Sequence, residues 1–133
     1  MPSEASASPL WRYATLTDVG RVRQNNEDAI VIHPEQGVAV LADGMGGYNA
    51  GEVASALATE LVASALAQWL AESCGEIAPE DIARAMHASV ASANHAIFEA
   101  AHTRAECLSM STTLVMVTQN GSEGLFSPIC VHS

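Results

Sequence analysis

The sequence predicts an α+β domain: an antiparallel β-sheet with two long helices on one face. Three observations predict it. Two β-branched or apolar runs, Ala29–His33 and Val38–Ala42, flank a turn at Pro34-Glu35-Gln36-Gly37. Two segments of helical periodicity follow one another. A third β-branched run, Thr112–Val117, comes after them. Strands followed by paired helices, with a returning strand, suit one sheet backed by helices.

Each element has its own signal. Residues 1–10 are rich in Ser, Ala and Pro and are expected to form a flexible leader. Arg12–Thr17 is expected to be a short strand. Asp18–Asp28 is polar and carries Gly20 and two asparagines. Ala29–His33 and Val38–Ala42 are expected to pair as a hairpin with a four-residue loop. Asp43-Gly44-Met45-Gly46-Gly47, dense in glycine, is expected to be a tight loop. Asn49 and Glu52 have capping-box spacing and open a helix from Ala50 to Ser73. Its expected apolar stripe is Val53, Leu57, Leu61, Ala65, Trp69 and Leu70. Cys74-Gly75 ends it. Pro79-Glu80-Asp81 opens a second helix, since proline suits the first turn and acids suit the positive end. Its stripe is Ile82, Met86, Val90, Ala93 or Asn94, and Ile97, running to about Ala101 or Arg104. Asn120-Gly121 marks a turn. Leu125-Phe126 starts a further run that Ser127-Pro128 is expected to break.

Composition narrows the function. The 133 residues are 49% apolar and 15% charged, which excludes disorder of the whole chain. The formal charge is −10, with five arginines and no lysine. A face able to neutralise nucleic-acid phosphates, or to sit on an acidic membrane, cannot be built from this. Apolar runs are interrupted by Glu and Ser before the ~18 residues a membrane span needs. Cys74, Cys107 and Cys130 are far apart and odd in number, and the first residues carry no secretory pattern. A reducing, cytoplasmic location is expected.

The chemistry concentrates in two places. Arg23-Gln24-Asn25-Asn26-Glu27-Asp28 puts two carboxylates just before one strand. Ala42-Asp43-Gly44-Met45-Gly46-Gly47 puts another at the end of the next. In a hairpin these are the same end, so Glu27, Asp28 and Asp43 are expected to converge. Crowded carboxylates need cations, or one must stay protonated. Hard divalent cations with oxygen ligands, Mg²⁺ or Mn²⁺, are the natural compensation. Arg23 supplies a fork suited to a phosphate oxygen pair. Carboxylates, a divalent cation and an arginine are the parts of a phosphate-hydrolysis site. His87, His95 and His102 fall on roughly one face of the second helix and are expected to be solvated or half-buried.

Residues Thr17–Ala29, including Arg23 and Asn26-Glu27-Asp28, closely resemble the first motif of the metal-dependent protein phosphatases (PPM, or protein phosphatase type 2C), in their bacterial form. Val40–Gly47 with Gly51-Glu52-Val53-Ala54-Ser55 resembles the second motif, and Ser111-Thr112-Thr113-Leu114-Val115 the third. The resemblance implies half of an α-β-β-α sandwich. It implies a two-metal centre of Mn²⁺ or Mg²⁺, and hydrolysis of phosphoserine and phosphothreonine by a metal-activated water. By position it implies that Asp43 bridges both metals, that Glu27 and the Gly44 carbonyl ligate one, that Asp28 holds metal-bound water, and that Arg23 binds the substrate phosphate. Arg23, Asp28 and Asp43 are thus the expected catalytic residues. A phosphorylated protein substrate and a cognate serine/threonine kinase are the implied partners.

The departures are specific. Tyr48 stands where bacterial relatives usually carry His, and Ser111 where the third motif usually has Gly. The resemblance also implies a Val-Gly-Asp-Ser-Arg-like segment and two further metal-binding aspartates downstream. The last aspartate of this sequence is Asp81. The expected organisation is a leader at 1–10, the N-terminal part of a PPM-type domain at 11–118, and a divergent tail at 119–133. On that organisation the metal centre is incomplete and the sheet is uncovered on one face, which favours self-association. The alternative to an active phosphatase is a truncated, catalytically impaired relative acting as a binding module, or a gene remnant. An acidic scaffold is a third possibility.

Overall fold

β-Branched residues and alternation build the sheet. The computed structural model describes residues 12–46, 49–73, 76–103, 109–120 and 123–132. The strands are β1 (Asp28–His33), β2 (Val38–Met45), β3 (Ser111–Asn120) and β4 (Glu123–His132). The helices are α1 (Ala50–Glu72) and α2 (Pro79–Thr103). The strands pair antiparallel in the order β1-β2-β3-β4, so β1 and β4 are edges. Both helices lie on one face: α1 crosses β1, β2 and β3, and α2 packs on α1 and reaches β4. The predicted α+β layer is the observed one.

The alternation of β2 sorts the two faces. Val38, Val40 and Ala42 point under α1 and are buried, as are Leu114 and Met116 of β3. Ala54, Ala58, Val62, Ala63 and Leu66 meet them from α1, and Ile82, Met86, Ala93 and Ile97 from α2. The outer face carries Ile30, Leu41 and Val115 in register. Leu41 is 45% exposed and Met45 60%. Only part of this face is covered. Residues 12–16 pass over it and enclose a cleft of ≈ 410 Å³ with Ile30, Ile32, Leu41 and Val115. Burial there pushes the Tyr13 phenol pKa up.

Several elements differ from expectation. Residues 12–17 are irregular, because they cross the sheet face and gain no ladder partner at either edge. β2 continues through Asp43 and Gly44 to Met45, since Gly44 and Met45 pair with Thr112 and Ser111. A second strand alongside outweighs the weak strand preference of glycine. The buried stripe of α1 is one residue out of phase with the expected one: Ala54, Ala58, Val62 and Leu66 are buried, whereas Leu61 is 39% exposed and Ala65 is exposed. Small residues let the helix approach the sheet, and Val53, Leu57 and Trp69 pack at its flanks. α1 is also long and apolar enough to cross a membrane, contrary to the sequence expectation. Here it is the central core helix. α2 runs as expected, with Ile82, Met86, Ala93 and Ile97 buried. β4 runs straight through Pro128, because an edge strand tolerates a missing N–H.

Buried hydroxyls are mostly satisfied within their own helix. Thr59 donates to the Ser55 carbonyl at 2.9 Å, and Ser89 to the Met86 carbonyl at 2.8 Å. Thr118 differs: it is fully buried, and its hydroxyl has no hydrogen-bond partner among the described residues. An unsatisfied buried hydroxyl destabilises, and valine has nearly the same shape. Thr118→Val is therefore expected to raise the unfolding free energy by about 1 kcal/mol. The check is a higher urea midpoint at unchanged slope.

Candidate active site

The β1–β2 hairpin delivers two carboxylates to one spot. Asp28 opens β1 and pairs in register with Asp43 of β2. Both lie on the outer face, away from the helices, and both are exposed. They face each other across the strand pair, close enough for the Asp43 charge to act on Asp28. The Asp28 pKa is raised by local desolvation, then by the facing charge of Asp43 and the hydrogen bond to it; Arg23 opposes the rise. Arg23 is exposed and near enough to act on Asp28 by its charge.

This shift has a signed consequence. The folded chain holds the Asp28 proton more tightly than the unfolded chain does. The ionised pair therefore costs stability at neutral pH, and that cost disappears as pH falls through the raised Asp28 range. In chelator, Asp28→Asn is expected to melt slightly above wild type at pH 7, with the difference closing toward pH 4. Thermal melts of both proteins across that range check it.

Glu27 stands apart from the pair. Its backbone carbonyl accepts a 3.0 Å hydrogen bond from the Gly44 N–H. Its carboxylate lies on the first turn of α1: a Cβ added at Gly51 would sit 2.9 Å from both Glu27 Cδ and Oε2. A helix N-terminus is a favourable place for a carboxylate. Gly44 and Gly51 are in direct backbone contact, and a Cβ on Gly44 would collide with the Gly51 carbonyl oxygen. The expected three-carboxylate convergence is thus an Asp28–Asp43 pair with Glu27 turned toward α1. Among the described residues no three His, Cys, Asp or Glu side chains form a group that could hold a metal.

The donor set nonetheless fits a hard cation. Two carboxylates share excess negative charge at one point, and oxygen-only donors suit Mg²⁺ or Mn²⁺. The Gly44–Gly51 contact leaves no room for a side chain between strand and helix. The Asp28–Asp43 pair supplies two of the oxygen donors that one such ion needs. A second ion finds few protein ligands among the described residues.

Residues outside the expected set hold this site in shape. Asn26 Nδ2 donates to Thr17 Oγ1 at 2.7 Å, and Asn26 Oδ1 accepts from the Asp28 N–H at 3.0 Å. Asn25 Nδ2 donates to Asn49 Oδ1 at 3.2 Å. That contact replaces the expected capping box, since Asn49 makes no side-chain cap. The Asn25-Asn26 pair after Gly20 was the available signal, because asparagine amides organise turns. Ser111 has no positive φ, so the Gly-to-Ser departure there is compatible with the strand. His95 pairs with Glu99 at 3.2 Å and His102 bonds the Phe98 carbonyl, both exposed on α2. Trp11, Gly47, Tyr48, Cys74, Arg104 and Cys107 lie outside the described residues, as do the leader at 1–10 and the side chains of the tail from Asn120 onward.

Comparisons with known proteins identify the family and the fold. Residues 20–129 match the protein phosphatase 2C family. The chain is 37% identical over 118 residues to the serine/threonine protein phosphatase PstP of Mycobacterium tuberculosis, covering 89% of this chain and 21% of that protein. It is 34% identical over 102 residues to the serine/threonine phosphatase stp of Listeria innocua, covering 74% and 39%. Among solved structures, the Mycobacterium tuberculosis phosphatase PstP/Ppp superposes with a TM-score of 0.72 at 36% identity, over 89% of this chain and 46% of that one. Stp1 of Staphylococcus aureus gives 0.71 at 31%, over 85% and 44%. The chain therefore spans less than half the length of these relatives. The match across both acidic motifs places this chain in the protein phosphatase 2C family.

Proposed function

We propose that this chain contributes the first-half site of a metal-dependent protein serine/threonine phosphatase. The observation that carries this is the Asp28–Asp43 register pair at one hairpin end, with Arg23 near enough to act on Asp28 by its charge. Arg23 would bind the phosphate of a phosphoserine or phosphothreonine with its planar fork. Asp28, facing Asp43 from the neighbouring strand, would hold and orient the attacking water and accept its proton. Asp43, with the Gly44 carbonyl next to it, would hold Mn²⁺ or Mg²⁺; Glu27 lies against α1 and would reach the ion only by turning back toward the hairpin end. When bound, the metal supplies an acidified water and neutralises phosphate charge. The relatives named above are serine/threonine phosphatases, which supports a phosphorylated protein as substrate and a cognate kinase as counterpart. The exposed Leu41 and Met45 beside the pair support contact of this face with further protein, including a second copy. Unpaired cysteine spacing supports a cytoplasmic setting.

A second reading is a catalytically impaired relative that binds rather than hydrolyses. It is favoured by one observation: no group of three metal-holding side chains forms among the described residues. Mn²⁺-dependent hydrolysis of p-nitrophenyl phosphate by monodisperse protein separates the two. Turnover that chelator abolishes supports the phosphatase. A folded sample that binds Mn²⁺ without turnover supports the impaired relative.

A further inference from the structure

We propose that Asn26 is a positioning residue for this site, acting as the clasp that joins the arginine loop to the carboxylate pair. Three contacts carry it. The Gly20 N–H donates to Asp18 Oδ1 at 2.7 Å, and Gly20 takes φ +79°, so the chain turns back at 18–20. Thr17 is thereby returned to Asn26, whose amide nitrogen closes the loop 17–26 at 2.7 Å across nine residues. The amide oxygen of the same side chain holds the Asp28 N–H at 3.0 Å. Arg21 and Arg23 ride on the closed loop, and Asp28 is the first residue of β1 facing Asp43. One side chain thus fixes both the base of the loop carrying Arg23 and the start of the strand carrying Asp28. An asparagine amide can serve both ends because it offers donor and acceptor on opposite arms.

The two ends separate by mutation. Thr17→Val removes only the loop closure. Asn26→Ala removes both contacts. Asn26→Asp keeps the acceptor for the Asp28 N–H, and the Thr17 hydroxyl can rotate to donate to it. In the metal-free chain, backbone order parameters at 18–25 are expected to fall below about 0.6 in Asn26→Ala and Thr17→Val, from about 0.85 in a rigid backbone, and to recover in Asn26→Asp. Mn²⁺ affinity by calorimetric titration is expected to drop about 10-fold in Asn26→Ala, as for other groups that orient ligands, and to stay within twofold in Thr17→Val. With p-nitrophenyl phosphate, Thr17→Val is expected to raise KM several-fold at unchanged kcat.

The metal and substrate readouts rest on the phosphatase reading; the order parameters do not. Wild-type order at 18–25 in both Asn26→Ala and Thr17→Val overturns the clasp. A loosened loop with wild-type Mn²⁺ affinity and KM overturns the positioning role. If wild type and Asp43→Asn bind Mn²⁺ equally or not at all, the phosphatase reading fails, and the order parameters alone decide the clasp.

Discussion

Gly44→Ala is expected to cost roughly 3 kcal/mol of stability, the upper part of the range for overpacking a tight contact. The cause is steric. Gly44 does not have a positive φ, so its backbone would accept alanine. The obstacle is the first turn of α1, where the Gly51 carbonyl oxygen occupies the place of the new methyl and the Glu27 carbonyl lies 3.0 Å from it. Both are backbone atoms and cannot rotate away. The strand must move off the helix, and the Gly44–Glu27 hydrogen bond goes with it. Gly20→Ala is the matched control, since that position has open space but φ +79°. It is expected to cost about 1 kcal/mol, the penalty for a left-handed non-glycine residue. Equal losses at the two positions in urea unfolding would refute the contact explanation.

The same contact explains what sequence could and could not reveal. The hairpin was legible because β-branched runs and a Pro–Gly turn are local signals. Placing Asp28 beside Asp43 required only that the two strands pair. The phase of α1 was not legible, because alanine gives little amphipathic contrast and the packed face is the small one. The extension of β2 through Gly44 was hidden too, since it depends on β3, more than sixty residues away. Glu27 illustrates the limit at the site. Adjacency to Asp28 suggested a shared cluster, but alternation sends neighbouring side chains apart. The Glu27 carboxylate lies against Gly51. The Thr17–Asn26 contact is not legible in sequence, because a loop closure leaves no periodicity.

Asp43→Asn is expected to raise stability slightly in chelator and to lower both stability and activity in Mn²⁺. Without metal, Asp43 faces Asp28 across the strand pair, and the two charges repel. Removing one charge relieves that repulsion. The site is exposed and screened, so the gain is expected to be no more than a few tenths of a kcal/mol. With metal, the sign reverses. Wild type is expected to gain about 2.7 kcal/mol when Mn²⁺ reaches a hundred times its Kd, since only the folded chain holds the ion. Asp43→Asn is expected to lose nearly all of that gain, because a neutral amide replaces a charged oxygen ligand. Hydrolysis of p-nitrophenyl phosphate is expected to fall by about 10²–10³, the equivalent of several kcal/mol of transition-state charge stabilisation. The crossing of the two melting curves is the informative result: the variant melts above wild type in chelator and below it in Mn²⁺. A destabilised fold would lower both curves. A scaffold with incidental motifs would show the chelator gain and no Mn²⁺ response in either protein. Only a carboxylate that carries metal in the working site produces the crossing together with the loss of turnover.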